Sequence, residues 1–202
     1  GELCDLLKFA GSTGPAVRGR HLQPVASFGR YSWISPDAAQ RLSLPELMQK
    51  LSGQSDLVGI DDFHPPGCEH ALCSFSALYR RLPGPKLERI GDGGCSCDES
   101  PPSAAEGARK SKYFTRLHWA SPGKRETPDP EADAFSRFIA ASGIEHRFTL
   151  SAMAFQDAMT LDLERVRGCC IHIATSSGRL VPFCAYNATA IDGSPLYRGS
   201  AA

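Results

Sequence analysis

The chain has 202 residues, 42% of them apolar, and equal numbers of acidic and basic side chains, giving a formal net charge of zero. That is enough for one domain, or for a small domain and part of another, and the apolar content excludes wholesale disorder. The longest basic run is Arg109-Lys110-Ser111-Lys112 and no apolar stretch has membrane-span length, so neither a nucleic-acid footprint nor a spanning helix is expected.

In chain order, Leu3, Leu6, Leu7 and Ala10 recur at helical spacing before Gly11. Residues 16–25 read as a strand leading into a loop. Ser43-Leu44-Pro45-Glu46 forms a capping-box pattern, opening a helix through Leu47, Met48 and Leu51 to Gly53. Val58-Gly59-Ile60 is expected to begin a short strand. Residues 1–62 thus alternate helix and strand, the α/β pattern.

The character changes at Phe63. His64-Pro65-Pro66-Gly67-Cys68 is turn-rich, and residues 83–104 read as a flexible surface loop holding Cys95 and Cys97. A helix with a basic face is expected from Ala105 to Trp119, a linker over 121–131, and a helix from Asp129-Pro130 to Gly143. Arg147 to Phe155 alternates like a strand. Leu161 to Val166 gives one or two helical turns, and residues 169–186 form a hairpin about Ser176-Ser177-Gly178. The expected domains are therefore 1–62, α/β, and 63–202, a small cysteine-rich α+β domain.

Eight cysteines are many for this length. A secreted protein would join them as disulfides, but the chain opens Gly1-Glu2-Leu3-Cys4 without a signal-peptide shape, and the apolar content suffices without staples. The expectation is an intracellular, cytoplasmic protein whose thiols serve metal or redox chemistry. Four stand in compact motifs: Cys68 and Cys73 at C-x4-C spacing, and Cys169 and Cys184 on the hairpin. Residues on one strand face differ by two. A two-residue loop puts Cys169 on the face of Cys184, with Cys170 and His172 pointing away. A three-residue loop would favour Cys170, and the shorter loop is preferred. Four converging thiolates fit a [4Fe–4S] cluster or a structural zinc, and the lack of paired C-x2-C knuckles favours iron–sulfur. Buried reduced cysteines would be the plain alternative. Arg18, His21, Gln23 and Arg30 cluster at the end of a strand, where α/β folds bind ligands such as a carboxylate, a phosphate or S-adenosylmethionine (SAM). An ordinary solvated loop is the competing reading.

The stretch Val17-Arg18-Gly19-Arg20-His21-Leu22-Gln23-Pro24-Val25 with Phe28-Gly29-Arg30 resembles a late strand of the radical SAM barrel, in the branch that includes archaeal tetraether lipid synthase. Arg167-Gly168-Cys169-Cys170-Ile171-His172 and Gly178-Arg179-Leu180-Val181-Pro182-Phe183-Cys184-Ala185-Tyr186-Asn187 resemble the C-terminal signature of that branch, which selects Cys169. Asp62-Phe63-His64-Pro65-Pro66-Gly67-Cys68-Glu69 with Cys73 looks closer to a bacterial sub-branch of radical SAM proteins, some of them selenoproteins. The resemblance implies that 1–62 ends a partial (β/α) barrel. It implies SAM on one [4Fe–4S] cluster, reductive cleavage to a 5′-deoxyadenosyl radical, and an auxiliary [4Fe–4S] cluster in 63–202 on Cys68, Cys73, Cys169 and Cys184. Arg18, His21, Gln23 and Arg30 would lie near the SAM or substrate pocket. A reductant and a small-molecule or lipid substrate would be partners. The C-x3-C-x2-C loop that binds the SAM cluster is not among these residues. The chain is therefore expected to be a fragment, inactive without a missing N-terminal part. Two other functions compete: a non-enzymatic zinc or iron–sulfur binding module, and a thiol redox or sulfur-carrier protein using Cys95 and Cys97.

Overall fold

A computed structural model describes residues 1–14, 16–29, 41–65, 70–90, 103–119 and 147–198. The expected linker over 121–131, the helix after Asp129-Pro130, and Cys68, Cys95, Cys97 and Arg30 lie outside the described residues.

Helix α1 (Glu2–Ser12) buries Cys4, Leu7 and Ala10, one stripe at spacings of three. Strand β1 (Gly19–Leu22) follows. Helix α2 (Leu44–Gln54) starts from the expected capping box. The Ser43 backbone N–H and hydroxyl donate to Glu46 Oε2 at 2.8 and 2.7 Å, and the Glu46 N–H donates back to Ser43 Oγ at 3.4 Å. These bonds hold the Glu46 carboxyl below its ordinary pKa.

Where a strand was expected at Val58, the chain instead forms a 3-10 turn over Ile60–Asp62. Asp62 causes it: its carboxylate accepts the Gly59 N–H at 2.7 Å and its own N–H donates to the Gly59 carbonyl at 3.2 Å.

Strand β2 (Ser74–Leu82) buries Phe75, Ala77 and Tyr79 at every second position. It pairs antiparallel with β3 (Lys86–Arg89) in the register Tyr79↔Arg89 to Leu82↔Lys86. Residues 83–90, expected as loop, are therefore partly a hairpin. Pro83-Gly84-Pro85 is its tight turn, with Gly84 at φ 79°. Directly opposed Arg80 and Glu88 form an ion pair, with Nε to Oε2 at 2.8 Å.

Helix α3 (Ala104–Trp119) opens on a second capping box, Ser103 with Glu106. Strand β4 (Arg147–Met153) buries Phe148, Leu150 and Ala152, and Arg147 is buried as well. Helix α4 (Leu163–Arg167) is capped by Asp162, whose carboxylate accepts the N–H groups of Glu164 and Arg165. Strands β5 (His172–Ala174) and β6 (Leu180–Pro182) pair antiparallel, and α5 (Phe183–Asn187) follows at once.

The architecture is mixed α and β. A four-stranded sheet has the order β1-β4-β2-β3, and β5-β6 forms a separate ribbon. The described chain divides into two compact units. The first comprises Gly1–Arg20, Gln54–Asp62 and Ala77–Leu150. The second comprises His21–Gly53, Phe63–Ser76 and Ser151–Ala202.

In the first unit β1 and β4 approach so closely that only glycine fits at position 19. An ideal Cβ there would stand 2.3 Å from the Thr149 carbonyl oxygen. The neighbouring Thr149 N–H donates to the Arg18 carbonyl at 2.9 Å. Gly19→Ala is predicted to destabilise the protein by about 1–3 kcal/mol, the range for overpacking a fitted site. A lowered melting temperature in circular dichroism checks this, and an unchanged one contradicts the close approach.

Candidate functional site

The second unit gathers three of the four sequence-selected cysteines. Cys73 closes a turn over residues 70–73, where its N–H donates to the His70 carbonyl at 2.8 Å, and it stands immediately before β2. Cys169 follows the end of α4, with Gly168 between, and its Sγ lies 3.2 Å from the Ile171 carbonyl oxygen. Cys184 sits in the first turn of α5 and is 8% exposed. Contacts tie the three into one region: Arg165 bridges the Cys73 sulfur and the Ala154 carbonyl, Gln156 two residues on reaches the Cys184 sulfur, and Gly168, beside Cys169, packs against His70.

The hairpin does this differently from the sequence expectation. Its register is Ile173↔Val181, and Thr175 bonds to Arg179, which leaves Ser176-Ser177-Gly178 as a three-residue loop. Gly178 at φ 75° supplies the left-handed residue such loops use. The expected two-residue loop is thus corrected. The face argument built on it does not apply, because β5 begins only at His172 and Cys184 is on a helical turn. The structure leaves Cys170 exposed and Cys169 half-buried. His172 is exposed on β5.

Hydrogen-bond donors face two of the three thiols. The Gln156 N–H points at Cys184 Sγ at 3.3 Å. Arg165 Nη2 donates to Cys73 Sγ at 3.2 Å and to the Ala154 carbonyl at 3.3 Å, while its buried Nε has no hydrogen-bond partner among the described residues. Phe28, Phe155 and Phe183 pack together with ring centroids 4.7–6.1 Å apart. Two of these rings are sequence neighbours of Gln156 and Cys184. Burial pushes the Cys184 thiol above its ordinary pKa, the Gln156 N–H opposes this, Cys169 and Cys73 add to the rise, and Arg165 counters it.

A cavity of about 430 Å³ borders this region. Its lining includes Arg41, Glu46, Phe155, Asp157 and Arg165. Asp157 is already engaged: it takes Arg41 Nε at 2.6 Å and the Ser27 N–H. Arg165 belongs both to the cavity and to the Cys73 contact, so the cavity and the thiols share a cation.

The candidate pocket residues are divided. Arg18 is buried in the first unit. His21 is exposed in the second, with Nδ1 2.9 Å from Ser151 Oγ, and Gln23 is exposed there too. Sequence reasoning missed Arg165 and Gln156, which carry no motif of their own. Asp162 three residues before Arg165 marks a helix start, and that was the available signal.

The donor set tests the iron–sulfur expectation. Thiols from separate segments are the ligand type such a cluster takes, and N–H donors at sulfur are of the kind that tune its potential. Among the described residues, no group of three or more His, Cys, Asp or Glu side chains closes to metal-holding geometry. Cys68, the fourth expected ligand, is outside them. The donor types fit; the described atoms do not form a closed site.

No family model matches the chain. A 42-residue stretch, 21% of this chain, is 50% identical to 7,8-dihydro-6-hydroxymethylpterin dimethyltransferase of Methanocaldococcus jannaschii and covers 8% of that protein. The chain therefore corresponds to a small part of that relative's length. No helix among the described residues is long and apolar enough to cross a membrane.

The burial order yields a prediction for the metal-free protein. Iodoacetamide should label exposed Cys170 at least about tenfold faster than Cys184 at mildly alkaline pH, because only thiolate reacts and burial raises the Cys184 pKa. Raising the pH should narrow the gap. Peptide mass spectrometry reads the rates, and equal rates would refute the buried placement of Cys184.

Proposed function

We propose that this chain is part of a radical SAM enzyme in which Cys68, Cys73, Cys169 and Cys184 hold an auxiliary [4Fe–4S] cluster. The observation that carries the reading is the grouping of Cys73, Cys169 and Cys184, from three separate segments, beside Arg165 and the Gln156 N–H. The 42-residue match to a radical SAM-type methyltransferase supports the radical SAM class at its coarsest. The resemblance of the Arg18-Gly19-Arg20-His21 and Pro182-Phe183-Cys184 motifs to the branch that includes tetraether lipid synthase supports the finer placement.

Bound there, the cluster would supply one-electron transfer or substrate ligation. The chain's own residues supply the rest. Arg165 donates to the Cys73 sulfur and places positive charge beside the gathered cysteines, which would tune a bound cluster's potential upward. The Gln156 N–H does the same at Cys184. The Phe28, Phe155 and Phe183 rings contribute apolar surroundings in this unit. The adjoining cavity is the proposed place for a small-molecule or lipid substrate group, with Arg41 and Arg165 as its cations. In the same reading SAM and its own cluster belong with the C-x3-C-x2-C segment, and Arg18, His21, Gln23 and Arg30 belong near the SAM or substrate pocket. The proposed organisation remains 1–62 as the end of the barrel and 63–202 as the auxiliary-cluster domain, in the cytoplasm with a reductant as partner.

Anaerobic reconstitution with iron and sulfide, followed by metal and sulfide analysis and a Mössbauer spectrum, tests this. The expectation is one [4Fe–4S] cluster in the wild type and in Cys170→Ser, and its loss in Cys169→Ser. Zinc in place of iron would move the reading to a binding module. No metal at all would leave thiol chemistry at Cys95 and Cys97.

A further inference from the structure

Helix α4 is five residues long and buries none of them. So short a helix is marginal on its own, because nucleation costs more than a few backbone bonds return. Apolar burial does not hold this one, so polar contacts at its ends must. At the start, Asp162 Oδ1 accepts the Glu164 and Arg165 N–H groups at 2.9 and 3.2 Å. The Asp162 N–H donates in turn to Gln156 Oε1 at 2.6 Å, and Gln156 is 5% exposed. At the end, the Gly168 N–H donates to the Glu164 carbonyl at 3.0 Å and the Cys169 N–H to the Val166 carbonyl at 3.2 Å.

These contacts lead to all three described thiols of the region. Arg165, one turn into the helix, donates to Cys73 Sγ. Cys169 leaves the last turn directly. Gln156 takes the Asp162 N–H with its side chain and sends its own backbone N–H to Cys184 Sγ at 3.3 Å. A path of hydrogen bonds therefore runs from Cys184 through Gln156, Asp162 and Arg165 to Cys73. Ala154 closes it, accepting from Arg165 while donating to the Cys73 carbonyl. Every residue of the path belongs to the second unit.

We infer that Asp162 is a positioning residue for the thiol region: with the Gln156 side chain it orients α4, and through α4 it sets Arg165 on the Cys73 sulfur and the Gln156 N–H on the Cys184 sulfur. What the sulfurs hold rests on the auxiliary-cluster reading, whereas how they are placed does not. Capping requires an acceptor at position 162 and not a charge, so Asn serves there and Ala does not. The two consequences of losing Asp162 also differ in sign. Removing its negative charge raises the potential of a nearby cluster, and releasing Arg165 from Cys73 lowers it.

The test has two arms. In the metal-free protein, amide hydrogen exchange by NMR should quicken at the Gln156 N–H by about fivefold in Asp162→Ala and in Gln156→Met, the size of one lost helix cap, and keep its wild-type rate in Asp162→Asn. In the reconstituted protein, a redox titration followed by electron paramagnetic resonance should place the midpoint potential of Asp162→Ala below both wild type and Asp162→Asn. Arg165→Met should lower it too, and adding Asp162→Ala to Arg165→Met should lower it little further, because the two act through one contact. An unchanged Gln156 exchange rate in Asp162→Ala would overturn the inference. So would Asn behaving as Ala does, or midpoint shifts that simply add. A wild type that takes up no iron–sulfur cluster would defeat the cluster reading instead, and the amide arm would still decide the positioning.

Discussion

The hydrogen bond from the Ala154 N–H to the Cys73 carbonyl, 2.9 Å long, is the constraint on which the cysteine region depends. It ties the segment leaving β4 to the residue that enters β2. With Cys73 held there, Arg165 can bridge the Cys73 sulfur and the Ala154 carbonyl, and two residues on, the Gln156 N–H reaches Cys184. Asp162 then matters at a distance: by capping α4 it sets where Arg165 leaves the helix, and Gln156 Oε1 accepts the Asp162 N–H at 2.6 Å. A short run of backbone and side-chain bonds thus assembles thiols as far apart in the chain as positions 73 and 184.

The arrangement also explains why the motif residues are what they are. Phe28 and Phe183 belong to Phe28-Gly29-Arg30 and Pro182-Phe183-Cys184, and they meet across Phe155 as one aromatic group. Asn187, closing the second motif, donates to the Phe183 carbonyl at 2.9 Å and holds the short helix that presents Cys184. Gly168 passes so near His70 that an ideal Cβ would stand 2.8 Å from the imidazole Cδ2. That closeness brings the segment carrying Cys169 beside the turn carrying Cys73. Aromatic packing, a local cap and a glycine approach are three separate ways the sequence favours one thiol region.

Much of this was legible where the signal was local. The Ser43-Glu46 capping box, the apolar stripe of α1 and the alternation of β4 each reflect neighbouring residues, and each element forms as those residues dictate. The second capping box, Ser103 with Glu106, carried the same signal and fixes the start of α3 one residue before the expected point. Turn chemistry was harder. Pro83-Gly84-Pro85 looks like open loop by composition, but a glycine at positive φ makes it the bend of a hairpin. The β5-β6 loop failed by one residue for a related reason: Gly178 takes the left-handed place in a three-residue loop, and a single shift reverses every face. Arg165 and the buried Arg147 were not legible at all, because long-range packing and not spacing gives them their surroundings.

The central claim is that the gathered thiols act together as ligands. Cysteine footprinting of the anaerobic protein before and after iron–sulfur reconstitution tests it most directly. The account predicts that reconstitution protects Cys68, Cys73, Cys169 and Cys184 from alkylation, while Cys170, Cys95 and Cys97 remain reactive. Protection of Cys95 and Cys97 instead, or continued labelling of Cys73 and Cys169 in protein that retains its iron, would contradict it.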